Sequence, residues 1–252
     1  MAYTMKIVGA DGAVREFVHK DIAPEKVRED QTYVDIMSRI GGYTMTVGHG
    51  ASATYNLFQS VKYITENAIA GAVVECGVWK GGSMMLVASA LQHFGDSTRE
   101  LYLYDTFDGM TEPAEVDIDF DGQRLKEIWL SARRSGGKVG YGGGRDAVAA
   151  NLKRTGYPER LMHFVEGDVL KTIPGTRPRR IALLRLDTDF YESTLHELQH
   201  LYPLVVPGGV VYVDDYGWCE GARQATEEFL GTLPFRPMLV RIDECVRVIV
   251  KP

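Results

Sequence analysis

The hydrophobic and polar positions of the chain follow two alternating periods, which predict strands and helices in turn. Five short apolar runs have the length of buried strands, at residues 72–75, 101–104, 161–165, 180–186 and 210–213. Segments with helical spacing begin near residue 81 and lie at residues 52–67, 145–156, 192–201 and 220–230. The last two apolar segments, 236–242 and 245–250, are predicted to pair through a two-residue turn. We therefore expect an α/β fold, with a doubly wound, mostly parallel sheet and an antiparallel last strand.

The first fifty residues have a pattern of their own. Alternating segments at 4–8 and 13–18 flank Asp11 and Gly12, a pair that favours a hairpin turn. A helix is predicted over residues 24–40, where two glycines end it, and a loop over residues 43–50 follows. We expect residues 1–50 to form an N-terminal hairpin and helix that serve packing, a lid or subunit contact. Residues 51–252 then form the main domain.

One long insertion interrupts the alternation at residues 106–144. Residues 106–122 are acidic and follow neither period, a helix is predicted over residues 123–134, and residues 136–144 are rich in glycine. Long irregular insertions in compact domains are often lids over a site. Composition alone favours a disordered loop equally. Two interpretations of this segment therefore remain, a lid and a plain linker.

The composition restricts the class of partner. The formal charge is −6, and no cluster of basic residues is longer than residues 177–180, which argues against nucleic acid and anionic membranes. No apolar run approaches a membrane span, and the N-terminus lacks a signal sequence. Three widely spaced cysteines suit a reducing compartment. We expect a cytoplasmic protein that acts on small molecules.

The sequence AVVECGVWKGGS at residues 72–83 predicts a strand, a glycine turn and a helix start. Its glycines are not spaced as in the dinucleotide motif, and Glu75 two residues before Gly77 would repel a pyrophosphate. A carboxylate there suits an ammonium or sulfonium group instead. The next strand ends at Asp105, where an acid can bind ribose hydroxyls. Together these residues indicate S-adenosylmethionine, although a generic turn with incidental acids is the alternative.

Four aspartates follow two neighbouring runs of the predicted sheet. Asp187 and Asp189 follow IALLRL, and Asp214 and Asp215 follow VVYV. If the two runs are adjacent parallel strands, these carboxylates converge and need a cation. An all-oxygen set without cysteine or histidine favours Mg²⁺. The alternative is that the acids cap helices or face solvent.

Five motifs carry a resemblance to a known family. ECGVWKGGS, DTFDGM, FVEGDVLKTIP, LRLDTDFYEST and GGVVYVDDYG follow, in order and spacing, the pattern of the macrocin O-methyltransferase (TylF-type) family, over about residues 40–230. The resemblance implies a class I methyltransferase fold, Rossmann-like, with a seven-stranded sheet. It also implies Mg²⁺-dependent transfer of a methyl group from S-adenosylmethionine to a sugar hydroxyl of a glycosylated natural product, as in antibiotic biosynthesis.

The resemblance also assigns roles to residues. It implies metal ligands at Asp187, Asp214 and Asp215 and a general base at Asp189, which would take the proton of the acceptor hydroxyl. The implied cofactor contacts are Thr44, Met45, Glu75, Gly77, Ser83, Asp105 and Asp168. We also expect a homodimer or higher homo-oligomer.

Other functions share parts of this pattern. A catechol-type phenolic O-methyltransferase has the same fold and a metal that chelates vicinal oxygens, so only acceptor assays separate the two. A non-catalytic S-adenosylmethionine-binding module is a second alternative, which the four aspartates disfavour. A nicotinamide oxidoreductase is a third, which Glu75 and the glycine spacing disfavour.

Overall fold

The structure is a computed structural model that describes residues 2–8, 14–20, 29–44 and 51–252. Its first two ranges are the strands β1 (Ala2–Val8) and β2 (Val14–Lys20), which pair antiparallel with Val8 opposite Val14. This pairing confirms the two predicted strands of the N-terminal hairpin. The predicted turn at Asp11 and Gly12 lies outside the described residues.

A second, seven-stranded sheet forms the centre of the domain. Its strands are β3 (Ala72–Cys76), β4 (Leu101–Asp105), β5 (Met162–Glu166), β6 (Ile181–Leu186), β7 (Val205–Val213), β8 (Val240–Arg241) and β9 (Arg247–Val250). The spatial order is β5-β4-β3-β6-β7-β9-β8, and the first five of these are parallel neighbours. Strand β9 runs antiparallel to both of its neighbours. The predicted fold class is confirmed.

Helices cover both faces of this sheet. They are α1 (Gln31–Ile40), α2 (Ser52–Glu66), α3 (Gly82–His93), α4 (Leu125–Arg134), α5 (Arg145–Lys153), α6 (Val169–Thr172), α7 (Tyr191–Leu201) and α8 (Glu220–Thr232). Successive strand residues point to opposite faces, so Val73 joins the core beneath α1, α2 and α3, whereas Val74 joins the core beneath α7 and α8. No helix in the described ranges is long and apolar enough to cross a membrane.

One strand boundary differs from the prediction, and the predicted start of the first helix falls outside the described residues. Helix α1 spans Gln31–Ile40, and the Asp30 carboxylate accepts the Tyr33 N–H at 3.1 Å and caps it. Residues 21–28 lie outside the described part. Strand β7 begins at Val205, five residues before the predicted start.

The predicted two-residue turn between the last two strands is wrong. The Asp243 carboxylate accepts the N–H groups of Cys245 and Val246, at 2.8 and 2.7 Å, and the Ile242 N–H donates to the Val246 carbonyl at 3.1 Å. This arrangement is a wider turn, and it leaves only Val240–Arg241 in strand β8.

The insertion of residues 106–144 packs through polar contacts. Helix α4 has no buried residue. The Met110 N–H donates to the Val139 carbonyl at 2.8 Å, and the Trp129 indole N–H donates to the Met110 carbonyl at 2.9 Å. These bonds join the start of the insertion to α4 and to the glycine-rich run.

Candidate active site

The carboxyl ends of β3 and β6 meet at the glycine turn. Gly77 has a φ of +81°, and a Cβ there would lie 1.9 Å from the Asp187 carbonyl oxygen. The Asp187 N–H also donates to the Cys76 carbonyl at 2.8 Å. Gly77 is therefore required by the close passage of the chain that carries Asp187.

Asp105 holds the glycine turn in place from the neighbouring strand. One of its carboxylate oxygens accepts the N–H groups of Val78 and Trp79, at 2.7 and 3.0 Å, and the other accepts the Phe107 N–H at 2.7 Å. Trp79 has a φ of +47°, a conformation that a bulky residue adopts only when other contacts impose it. Asp105 thus lies at the predicted strand end and orders the turn beside it.

The other predicted cofactor residues fall into two groups. The hydroxyl groups of Thr44 and Ser83 lie 3.3 Å apart, so the structure brings these two together at the start of α3. Asp168 lies beyond the edge strand β5, where its carboxylate accepts the Leu170 N–H at 3.0 Å and caps α6. Met45 lies outside the described residues.

A buried arginine, which the sequence analysis did not single out, connects the two halves of the site. Arg185 is only 3% exposed, and its guanidinium contacts Glu75 at 2.7 Å, Asp187 at 2.6 Å and Asp214 at 2.7 Å. Its position within the apolar run IALLRLD was the available signal, because a charge inside a buried strand needs a partner. The predicted acids are therefore partly neutralised by the protein itself.

Glu75 has one unsatisfied carboxylate oxygen. The residue is 1% exposed, Oε1 accepts from Arg185, and Oε2 has no hydrogen-bond partner among the described residues. Burial raises the pKa of Glu75 to about 7, although Arg185 acts in the opposite direction. An orphaned buried acceptor at the turn fits a ligand that brings a hydrogen-bond donor, such as an ammonium group.

Three of the four aspartates form a compact acidic cluster. One carboxylate oxygen from each of Asp187, Asp214 and Asp215 lies within 4.8 Å of the others. Burial raises the pKa values of Asp187 and Asp215, and Arg185 lowers both. Arg185 contacts Asp187 Oδ2 at 2.6 Å and Asp214 Oδ1 at 2.7 Å. Three oxygen donors at this spacing fit a hard divalent cation.

The fourth aspartate stands beside this cluster. Asp189 has a φ of +64°, and its N–H donates to a carboxylate oxygen of Asp215 at 3.2 Å. Burial raises the pKa of the Asp189 carboxyl to about 7, whereas a hydrogen bond with Asp215 acts in the opposite direction. The chain turns away from the strand between Asp187 and Asp189, so the two carboxylates hold different positions.

A buried glutamate on α7 holds the turn at Asp187–Asp189 through a hydrogen bond with Thr188. Glu197 is fully buried, and the Thr188 hydroxyl donates to its two carboxylate oxygens at 3.1 and 3.2 Å. Burial raises the pKa of Glu197 well above its usual value. An acid on the buried side of a helix was the sequence signal for this role. Thr188, between Asp187 and Asp189, is thereby fixed.

The insertion is attached to the same edge of the sheet through Asp117. This carboxylate accepts the N–H of Ala114 at 2.7 Å and that of Tyr191, the first residue of α7, at 2.8 Å. A Cβ at Gly221, in the first turn of α8, would lie 2.0 Å from the Asp117 carboxylate. Only a glycine therefore leaves room for Asp117 between the two helices.

Comparisons with known proteins agree with this architecture. The family model described as Macrocin-O-methyltransferase (TylF) matches residues 16–249. The chain is 32% identical, over 188 residues, to the 8-demethyl-8-(2,3-dimethoxy-alpha-L-rhamnosyl)-tetracenomycin-C 4'-O-methyltransferase of Streptomyces olivaceus, covering 75% of this chain and 69% of that protein. It is 30% identical to the demethyldecarbamoylnovobiocin O-methyltransferase of Streptomyces niveus, over 77% of this chain and 71% of that protein.

A solved structure supports the same assignment. The structure of the O-methyltransferase NovP superposes with a TM-score of 0.69 at 29% identity, and the alignment covers 80% of each chain. Since the family model also extends over most of the sequence, the chain belongs to the macrocin O-methyltransferase family and is an O-methyltransferase.

Proposed function

We propose that this enzyme transfers a methyl group from S-adenosylmethionine to a sugar hydroxyl of a glycosylated natural product, with Mg²⁺ as the metal. The observation that carries the proposal is the cluster of Asp187, Asp214 and Asp215 beside a glycine turn whose Glu75 has an unsatisfied oxygen. The relatives support the acceptor class, because their names specify a rhamnosyl tetracenomycin and demethyldecarbamoylnovobiocin.

The residues around the glycine turn would bind the cofactor, which supplies a methyl group on a sulfonium centre. Glu75 Oε2 would accept a hydrogen bond from the ammonium group of the methionine part. Thr44, Ser83 and Gly77 border the turn, and Met45 would close over the methionine part. Asp105 and Asp168 would bind the ribose and adenine part of the cofactor. Asp105 would keep its hydrogen bonds to the glycine turn at the same time.

The acidic cluster would prepare the acceptor hydroxyl. Asp187, Asp214 and Asp215 supply the oxygen donors for Mg²⁺, which when bound supplies a Lewis acid that lowers the pKa of the acceptor hydroxyl. Asp189, with its pKa near 7, would accept the hydroxyl proton as general base. Glu197 would keep Thr188, and so the turn between Asp187 and Asp189, in one conformation.

The decisive experiment separates the base from the metal ligands. Asp189→Asn keeps the shape of the side chain and removes the base, so kcat should fall by about 10²- to 10⁴-fold while Mg²⁺ and cofactor still bind. Asp187→Asn is the matched control, because it should weaken Mg²⁺ binding itself. If Asp189→Asn loses Mg²⁺ as severely as Asp187→Asn, Asp189 is a ligand and another base is required.

The acceptor class needs its own assay. We would offer the wild-type enzyme demethyldecarbamoylnovobiocin, para-nitrophenyl α-L-rhamnoside and methyl α-L-rhamnoside, with a catechol as the competing class, and detect methylated product by mass spectrometry. Sugar methylation without catechol methylation supports the proposal, and the reverse result assigns a phenolic O-methyltransferase. S-adenosylhomocysteine, but not NAD, should raise the melting temperature, since a ligand at 100 times its Kd adds about 2.7 kcal/mol.

The remaining proposals concern the setting of the enzyme. We propose that residues 106–144 act as a lid, that the N-terminal extension contributes to a homodimer or higher oligomer, and that the enzyme works in the cytoplasm. Limited proteolysis with and without cofactor and acceptor tests the lid, because a lid should become protected when both are bound.

A further inference from the structure

An aromatic pair, an exposed phenylalanine beside a half-buried tryptophan, lies outside the roles described so far. Phe120, in the insertion, is 65% exposed, and its ring centroid lies 5.0 Å from that of Trp218, with the ring planes at 57°. An exposed ring beside a second aromatic ring offers an apolar surface against which the ring of a ligand can pack.

The pair lies next to the acidic cluster. The Trp218 N–H donates to the Asp215 carbonyl at 3.0 Å, and the next residue, Cys219, forms an isolated β-bridge with Asp119. The segment that carries Phe120 is therefore joined directly to the segment that begins with Asp215. Phe120 and Trp218 therefore flank the segment that supplies Asp215 to the acidic cluster.

Hydrogen bonds join the backbone on the two sides of Phe120. Asp119 is 9% exposed, and its carboxylate accepts the N–H groups of Asp121 and Gln123, at 3.0 and 2.8 Å. Asp117 fixes the preceding residues to the start of α7. Local hydrogen bonds thus restrict the backbone that carries Phe120, which lowers the backbone entropy lost when its ring contacts a ligand.

We propose that Phe120 and Trp218 form a platform for the apolar ring system of the aglycone, adjacent to the sugar that is methylated. This inference rests on the proposed function and names the part of the acceptor that the rim of the same site binds. The acids would bind the sugar hydroxyls, and the aromatic pair would contact the uncharged rings attached to that sugar. The platform therefore selects acceptors whose sugar carries an aromatic or polycyclic aglycone.

The test compares two glycosides that differ only in the aglycone. The dissociation constants of para-nitrophenyl α-L-rhamnoside and methyl α-L-rhamnoside are measured by calorimetry, with S-adenosylhomocysteine and Mg²⁺ present. The wild-type enzyme should bind the nitrophenyl glycoside about tenfold more tightly, a preference of the size that one aromatic contact provides. Phe120→Ala should bind both glycosides equally, and Phe120→Tyr should retain the preference.

Phe235→Ala is the matched control. Phe235 is 68% exposed and follows α8, so its removal changes the exposed aromatic surface by the same amount and should leave the preference intact. The inference is overturned if Phe120→Ala keeps the preference, or if the wild type has none. It is equally overturned if Phe120→Ala alters the sedimentation coefficient, which would make the pair a subunit contact.

Failure of the proposed function can be distinguished from failure of the aromatic platform. Absence of methyl transfer from the wild type to every glycoside contradicts the proposed function. Normal methyl transfer by the wild type, together with an unchanged aglycone preference in Phe120→Ala, contradicts only the platform.

Discussion

Arg185 does not belong to the residues proposed to bind the acceptor, but its replacement should destabilise the acids of the site more than any other substitution. We consider Arg185→Met, which retains an unbranched apolar side chain and removes the only positive charge found within 4.0 Å of the Glu75, Asp187 and Asp214 carboxylates among the described residues. Three buried or half-buried acids would then lack their counterion. Removing one partner of a buried ion pair costs about 3–5 kcal/mol.

This cost should be visible as a lower melting temperature. For a protein of this length, 1 kcal/mol corresponds to about 2–4 °C, so Arg185→Met should melt about 6–20 °C below the wild type in the presence of a chelator. The difference should shrink at acidic pH, because protonated carboxyl groups no longer need a cation. Differential scanning calorimetry measures both effects.

Mg²⁺ provides the second part of this test. Because the variant leaves the carboxylates without the guanidinium, Mg²⁺ should raise its melting temperature more than that of the wild type. Arg179→Met is the control, since Arg179 is exposed and its replacement should change stability by less than about 0.5 kcal/mol. A loss below about 1 kcal/mol for Arg185→Met, with no dependence on Mg²⁺, would refute the reasoning.

Further variants test individual contacts. Asp105→Asn should lower the unfolding free energy by about 1.5–3 kcal/mol and weaken S-adenosylhomocysteine binding, because the turn loses charge-assisted hydrogen bonds; unchanged affinity by calorimetry would contradict its placement. The ionised form of Glu75 should bind the cofactor ammonium, so affinity should fall as the pH drops below about 7, and Glu75→Gln should abolish this dependence. Burial raises the pKa of Glu75, so the folded protein holds the Glu75 carboxyl proton more tightly than the unfolded chain does. The contribution of Glu75 to the free energy of unfolding should therefore fall as the pH rises from about 4.5 to 7. Asp117→Ala should increase proteolysis within residues 106–144 while cofactor affinity stays normal; equal cleavage would show that Asp117 does not hold the insertion.

The sheet and the convergence of its acids could be predicted because each depends on a local pattern. A run such as IALLRL predicts a buried strand, and parallel neighbours place Asp187 and Asp214 at one edge. Periodicity gives no information on how buried charges are paired. Arg185 and Glu197 each interrupt an apolar pattern, and only the three-dimensional arrangement shows that they pair with Glu75 and Thr188.

The insertion was the least predictable part for a different reason. Residues 106–122 have no hydrophobic period, so their positions depend on single polar contacts, such as those of Asp117, with partners far along the chain. The same limitation applies to the last hairpin, where the Asp243 carboxylate determines the turn. The pattern of apolar residues does not predict which carboxylate accepts a hydrogen bond from which backbone N–H.

The fit of Asp117 against Gly221 has a consequence for engineering this family. A designer who transplants the insertion of one enzyme onto another, in order to exchange acceptors, would move Asp117 without the residue that makes room for it. Any side chain at position 221 would collide with the carboxylate and separate the grafted segment from the starts of α7 and α8. Chimeras should therefore exchange residues 106–144 and the first turn of α8 as one module.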